Sequence, residues 1–77
     1  MLLNVSVLTP KDVIFEGTAK TVILPGEEGV FEILPYHKNI VSRLVSGNLF
    51  IDNEKFFIKR GVMQSHDNSV MIIVEQK

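Results

Sequence analysis

The side chains that could take part in acid–base chemistry or bind a metal are few and scattered in this chain. His37 and His66 are its only histidines, and it contains no cysteine. Neither histidine has a second histidine, a cysteine or a carboxylate at a spacing typical of metal ligands, such as His-x-x-x-His. We therefore predict no metal site, and we interpret His66, in the apparent turn 65–69, as a surface residue.

Glu27 and Glu28 form the one pair of adjacent glutamates, flanked by Gly26 and Gly29. Two neighbouring carboxylates can act as acid and base when burial separates their pKa values. A turn flanked by glycines predicts that both glutamates are exposed, so this condition is not met. The two glycines do not indicate a phosphate loop, because no Gly-Lys-Ser/Thr follows and no helix is predicted to begin there. The segment is interpreted as a tight hairpin.

The sequence gives no support for a serine nucleophile either. Ser42 and Ser46 lie outside any Gly-x-Ser-x-Gly motif, and no recognisable signature places either histidine beside them. The sequence therefore predicts no catalytic residue, no bound cofactor and no enzymatic activity of its own.

The elements that position these residues are predicted to be short β-strands. Apolar and polar residues alternate with period two in 3–7 and 31–33, and glycine, proline, asparagine and aspartate interrupt the chain at short intervals. This pattern predicts an all-β fold, a small two-layer β-sandwich of about eight to ten short strands in a single domain, 1–77. Three runs are apolar at every position, 22–24, 56–58 and 70–74, which predicts central strands or a face that meets another protein.

Composition excludes several other classes of protein. A hydrophobic fraction of 45% is too high for a disordered chain. The net charge of −1 offers no concentrated basic surface for nucleic acid. The longest apolar run, 70–74, is far shorter than the roughly 20 residues that cross a bilayer.

The segment 24–37 has the most specific order of residues in the chain. It combines a Gly-x-Glu-Gly turn at 26–29, a short strand that ends in two apolar residues before Pro35, and His37 two residues later. This order resembles the signature of the epsilon subunit of the F-type rotary ATP synthase. The resemblance continues through 5–17, 46–51, 56–64 and 70–74, and so covers nearly the whole chain.

The resemblance implies a non-catalytic rotor subunit of the central stalk that couples proton flow to ATP synthesis. An apolar sheet face would meet the gamma subunit, and the loops 26–31 and 35–39, at one end of the sandwich, would meet the membrane c ring. The chain would be peripheral to the membrane through the complex, on the cytoplasmic face of a bacterial inner membrane or the stromal face of a photosynthetic membrane. The residues expected to contact the ring are Glu28, Val30, Phe31, Glu32, Tyr36 and His37.

The chain departs from the family pattern in three places. Ser46 replaces the usual proline, and Val30 and Glu32 stand where many relatives have an acidic residue and a glycine. The sequence also stops three residues after Val74, where relatives continue into two helices that carry inhibition and, in some, ATP binding. We therefore expect no bound nucleotide and no helical inhibition.

The alternative is a generic small β-sandwich module that binds a peptide or carbohydrate on a sheet face. Such a module predicts exposed aromatic residues over a groove. Aromatic residues make up only 8% of this chain and include no tryptophan, which favours the rotor interpretation.

Overall fold

The computed structural model describes residues 1–76, which form nine β-strands. This confirms the all-β prediction. No helix within these residues has the length and apolar character needed to cross a membrane. In chain order the strands are β1 Leu3–Leu8, β2 Val13–Ala19, β3 Val22–Gly26, β4 Gly29–Ile33, β5 Ile40–Leu44, β6 Gly47–Ile51, β7 Glu54–Ile58, β8 Arg60–His66 and β9 Ser69–Glu75.

The strands form one curled sheet in the order β2-β1-β9-β8-β5-β3-β6-β7, with β4 paired to β3. The pairing is antiparallel except between β1 and β9, which are parallel. Between β5 and β3 the sheet is held by a single residue pair, Leu44 and Gly26, and by a hydrogen bond of 2.8 Å from the Val45 N–H to the Pro25 carbonyl. We call this contact the seam. The sheet therefore folds here into two layers, β2-β1-β9-β8-β5 and β4-β3-β6-β7.

Alternation of side chains along each strand fills the space between the layers. In β9, Val70, Ile72 and Val74 are buried, whereas the residues between them are exposed. Successive side chains of a strand point to opposite faces, so one face of β9 lies in the core. The predicted closing strand 70–74 is thus confirmed, and it lies centrally in its layer, between β1 and β8. The remaining buried apolar core residues are Leu3, Val5, Val7, Ala19, Val22, Leu24, Ile33, Leu44, Leu49, Ile51, Ile58 and Met63.

Two local features allow β8 and β9 to pair closely. Asp67 and Asn68 form their two-residue turn and have φ values of 48° and 64°. Aspartate and asparagine tolerate this left-handed conformation better than other non-glycine residues, and a right-handed strand twist favours such turns. Gly61 meets Val74 in the ladder, where an added Cβ would lie 2.5 Å from the Ile73 carbonyl oxygen. A side chain at position 61 therefore requires the backbone of β9 to move.

The β6–β7 turn is tied to the β2–β3 turn by one side chain. Asp52 Oδ1 accepts hydrogen bonds from the backbone N–H groups of Lys20, at 3.0 Å, and Thr21, at 3.1 Å. The Asp52 N–H donates to the Thr21 carbonyl at 3.1 Å, and Asp52 has a φ of 51°. Asp52 thus holds together two turns that are about thirty residues apart in the chain.

We expect Asp52→Ala to lower the free energy of unfolding by about 1–3 kcal/mol, because it removes both acceptor contacts and places alanine at positive φ. Asp52→Asn is the matched control, since asparagine retains an Oδ1 acceptor and tolerates the same φ. Urea denaturation of the three proteins measures the difference. Equal stability of the alanine and asparagine variants would show that the side-chain contacts contribute nothing.

Candidate functional site

The tip of the β3–β4 hairpin is an exposed acidic turn. Glu27 and Glu28 form the two-residue turn and are exposed, and Gly29 has a φ of 126°, which favours glycine. At Gly26 an added Cβ would lie 2.7 Å from the Phe31 ring and 2.9 Å from the Gly29 carbonyl oxygen. The predicted tight hairpin is therefore present, and its two glycines serve close packing and backbone geometry.

Three of the predicted contact residues follow the tip along β4. Val30 is 74% exposed, whereas Phe31 is half-buried and packs against the core. Glu32 is exposed, and its Oε2 accepts a hydrogen bond of 2.7 Å from the Thr21 hydroxyl. Of the three, Val30 presents apolar surface that no neighbouring element covers, and Glu32 is held by a contact within the domain.

Tyr36 and His37 lie in a different place, beside the β8–β9 turn. The Tyr36 N–H donates to Asn68 Oδ1 at 2.6 Å, and its side chain is 78% exposed. His37 Nδ1 lies 2.9 Å from the Lys38 carbonyl oxygen, and the His37 N–H donates to the Leu34 carbonyl at 3.2 Å. Tyr36 has a φ of 68°, so the loop holds it in the left-handed region.

Five of the six predicted contact residues therefore form two groups, and Glu32 lies between the groups in the chain. Glu28, Val30 and Phe31 line one groove at the hairpin tip, which Tyr36 and His37 do not reach. Val30, Phe31 and Glu32 lie within β4 itself, and Tyr36 and His37 follow the end of this strand. The tip is the more compact candidate contact.

A second candidate surface lies on the outside of the larger layer, and we call it the outer apolar face. Its residues are Val41, Val62, Met71 and Ile73, with exposures of 75%, 45%, 49% and 43%. They line a shallow depression of about 90 Å³ across β5, β8 and β9. Exposed apolar side chains that lie together in this way make the outer apolar face a candidate contact with another protein.

The sequence indicated only part of this face. The run 70–74 is apolar at every position, and this pattern led us to expect either a central strand or a contact face. The structure shows a central strand with one exposed face, because Met71 and Ile73 point away from the core that Ile72 enters. Val41 and Val62 carry no comparable signal, since each has a large apolar neighbour on one side only, Ile40 and Met63, and neither lies in a longer apolar run.

The histidine and carboxylate side chains of the described region do not gather into a metal-binding cluster. Within residues 1–76, no three or more histidine, cysteine, aspartate or glutamate side chains are placed to hold a metal ion. His66 Nδ1 lies 3.2 Å from Asp67 Oδ2, and both side chains are largely exposed.

Comparison with known proteins gives one family across the chain. Residues 2–77 match the family model described as the ATP synthase delta/epsilon chain, beta-sandwich domain. The ATP synthase epsilon chain of Sulfurimonas denitrificans is 36% identical over 78 residues, an alignment that covers 95% of this chain and 60% of that protein. This chain therefore spans about 60% of the length of that relative.

Solved structures with the same fold come from mitochondrial ATP synthases. A chain of the Euglena gracilis complex of OSCP, F1 and c ring superposes with a TM-score of 0.87 at 19% identity, covering 95% of this chain and 50% of that one. A chain of the Tetrahymena thermophila central stalk and c ring superposes with a TM-score of 0.77 at 21% identity, covering 95% and 63%. At these identities the likeness concerns the fold.

Proposed function

Because this chain belongs to the ATP synthase delta/epsilon β-sandwich family, we propose that it is a non-catalytic central-stalk subunit of an F-type ATP synthase. In this role it links the gamma subunit to the c ring and couples proton flow to ATP synthesis. It acts as a single β-sandwich domain, peripheral to the membrane through the complex, on the cytoplasmic face of the bacterial inner membrane or the stromal face of a photosynthetic membrane. The observation that carries the proposal is the family match over residues 2–77, together with two exposed surfaces on one packed core, the hairpin tip and the outer apolar face, which adjoin at Val41 and Val62.

The mechanism requires a stiff body with two contact surfaces. Both layers share a core in which Leu24, Leu49 and Ile72 have no solvent exposure. Close-packed interiors resist deformation, so a displacement applied to one surface is passed to the other. A torque-transmitting linker needs this property and needs no reacting group.

The outer apolar face is assigned to gamma. Val41, Val62, Met71 and Ile73 lie on the layer whose strands pair over long stretches, with five residue pairs between β5 and β8 and seven between β8 and β9. Ladders of this length hold the four side chains in a fixed relative geometry. A permanent interface is expected to be apolar at its centre.

The hairpin tip is assigned to the c ring. Glu27 and Glu28 are exposed and present negative charge beside the exposed apolar side chain of Val30. Exposed ion pairs contribute about 0.2–1 kcal/mol each, so the apolar side chain should carry more of the contact than the carboxylates.

We expect Val30→Ser to weaken binding of the c ring more than reversal of charge at both Glu28 and Glu32, because the valine is the most exposed apolar group at the tip. Binding of each purified variant to detergent-solubilised c ring measures this. Tyr36→Ser is the matched control for the second group of residues. If that variant alone lost binding, the ring contact would lie at the loop 35–39, and the assignment to the tip would be wrong.

Reconstitution tests the function as a whole. Membranes depleted of the corresponding native subunit should recover ATP-driven proton pumping when this chain is added, with more protons moved per ATP hydrolysed. Recovery of gamma and the catalytic headpiece in a pull-down from the same extract would support the stalk position. The proposed function would be refuted if the chain bound neither gamma nor the c ring.

A further inference from the structure

One edge of β5 lacks a strand partner over most of its length. β5 pairs with β8 at all five residues, but on its other edge it meets β3 only at Leu44. The Val45 N–H, which points away from β8, is bonded to Pro25 at the seam. Backbone groups of a strand alternate in direction, so the N–H groups of Val41 and Arg43 point the same way. No strand among residues 1–76 pairs with these two positions on that side.

This free edge forms one wall of an open groove of about 820 Å³. The hairpin tip forms the opposite wall, through Glu27, Glu28 and Val30. Ligand sites in proteins commonly occupy about 300–1,000 Å³, so the groove has room for a short segment of polypeptide.

The two sides of the groove differ in chemistry. Toward the core it presents Phe31 and Ile40, which are half-buried and pack against the core cluster. Toward solvent it presents the carboxylates of Glu27 and Glu28, opposed by the single cation of Arg43. A strand placed here would direct alternate side chains to these two environments. The complementary sequence therefore alternates apolar and basic residues.

We propose that this groove binds an extended segment of a partner polypeptide as an additional β-strand on the free edge of β5. The main chain of the segment pairs with Val41 and Arg43, its apolar side chains contact Phe31 and Ile40, and its basic side chains lie near Glu27 and Glu28. Main-chain hydrogen bonds to an exposed sheet edge supply affinity in such complexes, and alternate side chains supply specificity. The inference concerns the domain alone and does not depend on the rotor function.

The test uses the isotopically labelled 77-residue chain and a capped octapeptide of alternating valine and lysine. Amide hydrogen exchange, followed by nuclear magnetic resonance, should slow at Val41 and Arg43 when the peptide is present. Two further peptides carry N-methyl groups on the valines or on the lysines. The N–H groups of the valines and of the lysines point to opposite edges of the extended peptide, and only one edge pairs with β5. One methylated peptide should therefore bind about tenfold or more weakly, and the other should retain binding.

Charge reversal gives an independent measurement on the protein. Glu27→Lys with Glu28→Lys should weaken binding of the octapeptide about 2- to 10-fold, the range for exposed charge pairs. Glu16→Lys with Glu54→Lys, two exposed glutamates on β2 and β7, is the matched control and should leave binding unchanged.

Several results would overturn the proposal. They are absence of binding at millimolar peptide, binding without protection of Val41 and Arg43, and equal loss of binding with both methylated peptides. Protection of the same amides by self-association, detected as a concentration-dependent dimer without peptide, would identify a second copy of this chain as the occupant. The groove shares Val30 with the proposed ring contact and Val41 with the outer apolar face, so binding to the c ring and to gamma is measured separately.

Discussion

Replacing Ile72 by alanine is expected to lower the free energy of unfolding by about 2–5 kcal/mol, the usual cost of a large-to-small change in a packed core. Ile72 has no solvent exposure and pairs with Val7 on one side and Met63 on the other. A domain of 77 residues has a total stability of roughly 4–12 kcal/mol at 0.05–0.15 kcal/mol per residue. The substitution therefore removes a large part of the stability, which urea denaturation measures directly.

Ile73→Ala is the matched control, because it changes the same residue type one position later in the same strand. Ile73 is 43% exposed on the outer apolar face, so its loss should cost about 1 kcal/mol or less. Equal destabilisation by the two substitutions would contradict the assignment of faces in β9.

Removal of the strand itself should have a still larger effect. A chain that ends at Ser69 loses the element that joins β1 to β8, and the pair β1–β2 then has no neighbour in its layer. We expect such a chain to show no cooperative thermal transition. A cooperative melt of the shortened protein would show that β9 is dispensable.

The second large effect is expected in assembly. Ile73→Glu should weaken binding to the purified gamma subunit by about 30-fold or more, because an unpaired charge at the centre of an interface costs about 2–5 kcal/mol. Stability should change little, since the side chain does not enter the core. Titration of gamma with each variant, together with a thermal melt, separates loss of binding from loss of folding.

Phe57→Glu provides the matched control for this prediction. Phe57 is 56% exposed on β7, in the smaller layer, and so presents an apolar side chain on the opposite side of the sandwich. The variant carries the same new charge and should bind gamma normally. If Phe57→Glu weakens binding and Ile73→Glu does not, gamma contacts the smaller layer, and the assigned face is wrong.

The local structure follows from the sequence alone. Period-two alternation in 3–7 and 31–33, and short apolar runs between turn residues, predicted strands, and the residues at Gly26, Gly29, Asp67 and Asn68 predicted two of the tight turns. These features depend on the φ and ψ preferences of single residues and on the direction of successive side chains, which act over a few residues. The sequence signature of 24–37 likewise predicted the family that the comparison shows.

The arrangement of the candidate surfaces depended on the tertiary structure. The parallel pairing of β1 with β9 joins segments more than sixty positions apart, and it makes 70–74 a central strand with one open face. The seam at Gly26 and Leu44 leaves the rest of the β5 edge unpaired, although no residue of β5 signals this by itself. The pairing at the seam also places Glu28 in a groove that Tyr36 does not line. The faces and edges of a strand are exposed or covered according to which distant strands pack beside it. That long-range pairing is determined by the packing of the whole chain, and local residue preferences do not determine it.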